Sequence, residues 1–214
     1  MSGLVDPDIE RYAAAHTTAQ PAALDALARR TVSELGHEEM LSGPVVGRLL
    51  ELLVHAIQPR LVVEVGTFSG YSAIAMAAGL PPGGRIITCE LDDDHAALAR
   101  EAIAASPYAD RIELRPGDAR ETLRALDEPV DFAFVDADKP GYPGYVRLLL
   151  ERLSPHGLIA ADNTLYYGEV LAGEGAESEN GRALHAFNES LVGDAGLVVA
   201  QLTMRDGVTL IRRR

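Results

Sequence analysis

From Pro59 onward, short apolar runs alternate with helical stretches, and each run ends at or just before a glycine or a carboxylate. Strands are expected at Leu61 to Val65, Arg85 to Cys89, Arg111 to Arg115, Phe132 to Val135 and Gly157 to Ala161. Helices are expected between them at Tyr71 to Ala78, Asp92 to Ala105, Ala119 to Leu126 and Tyr142 to Leu153. Apolar strands of this length, each followed by a helix, demand a parallel sheet covered on both faces and joined by right-handed crossovers. The end of the chain breaks the rule: Leu197 to Met204, an Arg205-Asp206-Gly207 turn and Val208 to Arg212 read as an antiparallel hairpin. Before the alternation, helices are expected at Asp8 to His16 and Pro21 to Leu35. A third runs from Pro44 to Ile57, with Ser42 as its N-cap, and Leu171 to Gly181 reads as an acidic loop ahead of a helix from Arg182 to Leu191. No linker divides the 214 residues, so a single α/β domain is expected, with residues 1–40 as a helical extension or lid and 41–214 as the core.

In an open parallel sheet, ligands bind beyond the carboxyl ends of the strands. That rule brings Glu64 with Gly66, Glu90, Asp118, Asp136 with Lys139, and Asp162 with Asn163 to one edge. Lys139 is the only lysine among 19 basic residues. An amine set between aspartates in an otherwise all-arginine chain suggests a need for a group that can lose its proton, which arginine cannot. The turn Gly66 to Gly70 lacks the middle glycine of a dinucleotide fingerprint, and Glu64 beside it suits a cationic ligand better than a phosphate. Glu90, closing the second strand, has the position and acceptor pair to hold both hydroxyls of a ribose.

Composition removes other classes. A formal charge of −13 repels a phosphate backbone. Cys89 is the only cysteine and reads as a buried, inert thiol, and six scattered histidines offer no zinc spacing. No apolar run reaches the ~20 residues of a membrane span. The N-terminal stretch lacks the basic start and apolar core of a signal peptide, so a cytoplasmic location is expected.

The stretches VVEVGTFSGYSAIAMA, ITCELD, DFAFVDADKPGY, LIAADNTLYYGEV and DGVTLIRRR resemble class I S-adenosylmethionine-dependent O-methyltransferases of the cation-dependent catechol and caffeoyl-coenzyme A group. The resemblance runs from Met40 to the C-terminus. It implies a Rossmann-like seven-strand sheet with a reversed C-terminal hairpin, and a homodimer. It further implies that Glu64 and Gly66 line the methionine part of the cofactor, that Ser72 holds its carboxylate and that Glu90 binds its ribose. Asp118 and Ala119 would border the adenine, while Met40 and Ser42 would belong to the segment that closes over the cofactor. Asp136, also at the cofactor, would bind a divalent cation together with Asp162 and Asn163; Lys139 would be the base and Tyr166 would stand at the acceptor pocket.

Two carboxylates and a carboxamide make an oxygen-only donor set, which suits magnesium, with calcium or manganese as alternatives. Lys139, partly desolvated and beside a cation, is expected to be depressed enough to accept a proton. The implied reaction is methyl transfer to one hydroxyl of a small, catechol-type vicinal diol. A free small molecule is favoured over a coenzyme A thioester because the stretch Glu174 to Glu179 is acidic. The competing readings are a methyltransferase acting on tRNA hydroxyuridine, opposed by the net charge, and a nicotinamide-dependent dehydrogenase, opposed by the missing glycine. A non-catalytic cofactor-binding protein is opposed by the complete set of base and metal-type residues.

Overall fold

The computed structural model describes residues 4–37 and 40–214. Seven strands form one sheet: β1 (Leu61–Val65), β2 (Arg85–Glu90), β3 (Ile112–Pro116), β4 (Val130–Val135), β5 (Leu153–Asp162), β6 (Leu197–Leu202) and β7 (Val208–Arg213). Their order is β3-β2-β1-β4-β5-β7-β6, parallel from β3 through β5 and antiparallel for the β5–β7 and β6–β7 pairs. The chain runs outward from β1 to β2 and β3, then returns to place β4 on the other side of β1. The carboxyl ends of β1 and β4 therefore flank the crevice at which such sheets bind ligands.

Eight helices cover the sheet among the described residues: α1 (Pro7–Ala15), α2 (Ala22–Leu35), α3 (Gly43–Ile57), α4 (Tyr71–Ala77), α5 (Asp93–Ala105), α6 (Ala119–Ala125), α7 (Tyr142–Arg152) and α8 (Glu179–Gly193). Alternation along the strands separates two cores. Leu61, Val63 and Val65 of β1 and Ala133 and Val135 of β4 face α6, α7 and α8, whereas Val62, Phe132 and Phe134 face α2, α3 and α4. Phe132 and Phe134 are wholly buried, which is worth roughly 1.5–3 kcal/mol each. Glu64 shares the face of Val62, so a carboxylate is folded under α4.

Most elements lie where the periodicity places them; three expectations need correction. Ser42 occupies the N-cap position of α3, but its backbone is helical and its side chain makes no capping bond. Leu171 to Gly181 is not an open loop: 3-10 turns span Tyr166–Gly175, and α8 starts at Glu179 because the Ser178 hydroxyl caps it by accepting from Gly181 N at 2.9 Å. Glu169 Oε2 ties that join by accepting from Ser178 N and, at 2.5 Å, from Ser178 Oγ. Strand β5 begins at Leu153, paired with Val130, and passes Pro155 through an irregular register between Val130 and Phe132. Helices α1 and α2 pack on α3, α4 and α5, so of the expected lid only Met40, among the described residues, reaches the cleft. No described helix is long and apolar enough to cross a membrane.

Candidate active site

A cleft of about 680 Å³ opens at the carboxyl edge of β1, β2, β4 and β5. It brings together Met40, Ser42, Gly66, Ser72, Glu90, Asp118, Ala119, Asp136, Lys139, Asp162, Asn163 and Tyr166. Glu64 alone of the expected residues does not reach its surface.

One wall of the cleft is built by the glycine turn. Gly66 adopts φ 97°, and a Cβ there would lie 2.0 Å from the carbonyl oxygen of Asp136, so only glycine allows the ends of β1 and β4 to approach this closely. Glu90 organises the turn through its carboxylate: Oε2 accepts from Thr67 N at 3.1 Å and Phe68 N at 2.7 Å, and Oε1 accepts from Asp92 N at 3.0 Å. Asp118 caps α6, accepting from Arg120 N at 2.8 Å and from Arg120 Nε, and the arginine holds its carboxyl below the usual range.

Glu64 is fully buried. Thr67 donates to Thr88 at 2.5 Å, and Thr88 donates to Glu64 Oε2, also at 2.5 Å, while Oε1 has no hydrogen-bond partner. Burial pushes this carboxyl up to about 8, against the pull of the Ser72 and Thr88 hydroxyls. A carboxyl raised on folding keeps a proton that the unfolded chain releases. Its contribution to stability is therefore full below about 4.5, the ordinary value, and lost as the pH rises to about 8. Asp162, raised to about 7 chiefly by burial and then by the charge of Asp136, adds a slope of the same sign. The urea midpoint of the ligand-free protein is accordingly expected to fall between pH 5 and 8, and less steeply in Glu64→Gln. An unchanged slope in that variant would contradict the assignment.

The other wall is built around Lys139, in a 3-10 turn after β4. Its Nζ donates to Asp136 Oδ1 at 3.0 Å, Asn163 Oδ1 at 2.8 Å and Tyr142 Oη at 2.8 Å, and Tyr142 Oη in turn donates to the Asp162 carbonyl at 2.9 Å. Asn163 takes a left-handed φ of 54°, with its N–H donating to Asp162 Oδ1 at 2.8 Å. The lysine pKa is raised in this structure rather than depressed as expected. Burial pulls it down, but Tyr142 and Asp136, by charge and by hydrogen bonding, outweigh that pull. Asp138 accepts from Tyr145 Oη at 2.5 Å. Tyr166 lines the cleft with its hydroxyl accepting from Asn180 Nδ2 at 2.7 Å.

Tyr142, Tyr145, Arg205 and Asp206, all on or against the cleft, are not among the residues expected from the sequence. Tyr142 follows Lys139 by three positions, a spacing that places both on one side of a helical turn and was legible. Arg205 and Asp206 carried no local signal beyond a D-G turn.

A family model described as O-methyltransferase matches residues 14–214. A catechol O-methyltransferase of Niastella koreensis is 38% identical over 148 residues, covering 67% of each chain. The caffeoyl-CoA O-methyltransferase 1 of Eucalyptus globulus is 34% identical over 177 residues, 78% of this chain and 72% of that one. Among solved structures, an O-methyltransferase from Bacillus cereus in complex with SAH superposes with a TM-score of 0.88 at 28% identity, covering 97% of both chains. The O-methyltransferase TomG from Streptomyces achromogenes, in complex with SAM, gives 0.87 at 29% identity and 96% of both.

Proposed function

The chain belongs to the O-methyltransferase family, and from that premise we propose that it moves the methyl group of S-adenosylmethionine onto one hydroxyl of a small catechol-type diol, with a divalent cation at the site. The observation that carries the cation is a convergence. Asp136 Oδ1 and Asn163 Oδ1 both accept from the single Lys139 Nζ, so two oxygens from different strand ends already meet around one positive charge. Asp162, buried beside them, has its carboxyl pushed up to about 7 by burial and then by the charge of Asp136, so a cation bound there would be the group that ionises it. Among the described residues no three His, Cys, Asp or Glu side chains form a metal cluster; the proposed set is two carboxylates and one carboxamide. Such a hard, all-oxygen set fits magnesium, calcium or manganese.

Bound there, a cation would supply Lewis-acid charge that eases loss of a phenolic proton whose ordinary pKa is ~10. This chain's residues supply the rest. The turn at Gly66, ordered by Glu90, presents backbone to the donor's methionine part, and Glu90 keeps lone pairs for the ribose hydroxyls. Ser72 offers a donor to a carboxylate, while Asp118 and Ala119 bound the adenine. With a cation held by Asp136, Asp162 and Asn163, Asp136 would favour the ammonium less, and Lys139 Nζ would be the group placed to take the acceptor's proton. Tyr166, fixed by Asn180, sets the rim against which an aromatic acceptor lies. Transfer is then a matter of holding oxygen and methyl carbon in line. The carboxylates of Glu90, Asp92, Asp118, Asp136, Asp138, Asp162 and Asp206 around the cleft favour a sulfonium donor and a small acceptor over a phosphate-bearing one. A homodimer is proposed with it: α1 buries no residue and leaves Ile9 and Tyr12 exposed.

The test is labelled methyl transfer to catechol with magnesium, with and without chelator. Removing the cation is expected to lower the rate by ~100-fold or more, the worth of several kcal/mol of charge stabilisation, with recovery on adding magnesium back. Full activity in chelator would sink the cation. A strong preference for an acyl-coenzyme A, or methylation of tRNA at low salt, would displace the catechol reading.

A further inference from the structure

The β6–β7 turn joins the two walls of the cleft. Arg205 and Asp206 sit side by side in it and both line the cleft. Arg205 Nη1 donates to the carbonyl of Leu41 at 3.1 Å and also to that of Ser42, on the cofactor side. Asp206 reaches the other side: Oδ1 accepts from Tyr167 N at 2.5 Å, and its carbonyl accepts from Leu165 N at 2.9 Å.

Several features show this tie to be built. Arg205 adopts φ 49°, a left-handed conformation that costs a residue with a Cβ and persists only where its surroundings hold it. Gly43, opposite, leaves room for the guanidinium, since a Cβ there would lie 2.5 Å from Nη1. Gly207 lets the turn seat on the acceptor side, where a Cβ would lie 2.6 Å from the Leu165 side chain. A charged donor shared between two carbonyls makes a stronger bond than a neutral one.

We infer that Arg205 is a positioning residue for methyl transfer: its guanidinium holds the Leu41–Ser42 wall over the cofactor end of the cleft and, through the adjoining Asp206, keeps that wall in register with the Tyr166–Tyr167 rim. The inference rests on the reading that the cleft takes S-adenosylmethionine. It makes a hairpin turn at the far end of the sequence a determinant of cofactor affinity, although none of the expected cofactor residues lies there.

The experiment is calorimetric titration of S-adenosylhomocysteine into the wild type, Arg205→Ala and Arg205→Lys, with amide hydrogen exchange followed over residues 40–43. Loss of a charge-assisted pair of bonds is expected to weaken binding by about tenfold in Arg205→Ala and to speed exchange in 40–43, with Arg205→Lys intermediate. In turnover, the KM for the methyl donor should rise by a similar factor while kcat at saturating donor stays within about threefold. Folded Arg205→Ala with wild-type affinity and exchange overturns the inference. If the alanine variant does not fold, Arg205→Met, of similar length and without a donor, is judged by the same criteria. A wild type that binds no S-adenosylhomocysteine overturns the methyl-donor reading and this inference with it. A wild type that binds it, beside a variant that binds equally well, overturns this inference alone.

Discussion

Gly66→Ala is expected to lose stability on a scale that most single substitutions do not reach, and to lose cofactor binding with it. Two costs coincide at this position. The φ of 97° is one that a residue with a Cβ rarely adopts, and the new methyl would lie 2.0 Å from the Asp136 carbonyl oxygen and 2.8 Å from its carbonyl carbon. Those atoms are backbone and have no rotamer by which to move away. They are fixed from both sides, because Val65 pairs with Val135 and the Asp136 N–H donates to the Val65 carbonyl at 2.8 Å. Relief requires prising β1 from β4 where the sheet reverses its order, which also displaces Asp136. Overpacking and backbone strain together put the cost at roughly 3–5 kcal/mol. At ~2–4 °C per kcal/mol for a chain of this size, the melting temperature should fall by about 6–20 °C. Gly83→Ala is the matched control: its φ of 79° is similarly positive, but nothing lies within 4 Å of the added methyl. Only the conformational cost then applies, about 1 kcal/mol. If the two variants melt together, close approach is not the reason for glycine at 66.

That position illustrates what a sequence makes legible. The run Leu61 to Val65, apolar but for Glu64, and the glycine after it were readable because a parallel strand buried on both faces reads as a near-continuous apolar run and its turn must be tight. The same logic placed Glu90, Asp136 and Asp162 on one edge, since the register of a parallel sheet aligns strand ends. Arg205 and Asp206 were not readable. Their place over the cleft follows from insertion of β7 between β5 and β6, where Asp162 pairs with Val208, and no local pattern encodes which strand a hairpin will join. The stretch after Tyr166 was read as an acidic loop because its glycines and glutamates lack periodicity. Its order comes from Glu169 and Ser178, nine positions apart, bonding to each other. Glu64 was legible as a special carboxylate but not as a buried one. By alternation it shares a face with Val62, and α4, buried along its whole length, closes over that face.

Lys139→Ala is expected to have the largest effect on turnover. General base catalysis by a positioned side chain contributes about 10²–10⁴-fold, and kcat should fall within that span while S-adenosylhomocysteine affinity stays within about twofold. The affinity should hold because Nζ bonds to Asp136, Asn163 and Tyr142, on the proposed acceptor side of the cleft. Charge and proton transfer are separable by a second substitution. Lys139→Arg keeps a cation beside Asp136 but cannot accept a proton at any working pH, so it should be as slow as the alanine variant if the amine is the base. A near-normal kcat in Lys139→Arg would instead assign the residue a purely electrostatic role.

The alanine variant carries a further consequence. Asp136 and Asn163 lose their shared donor, and the repulsion between Asp136 and buried Asp162 is left unopposed by the lysine. In chelator Lys139→Ala should therefore melt below the wild type, and added magnesium should raise its melting temperature more than it raises that of the wild type, because the ion would supply the charge the ammonium had provided. Equal magnesium-induced shifts in both proteins would mean that the lysine and the cation do not answer the same carboxylates, and the metal-ligand role of Asp136 would fall with that result.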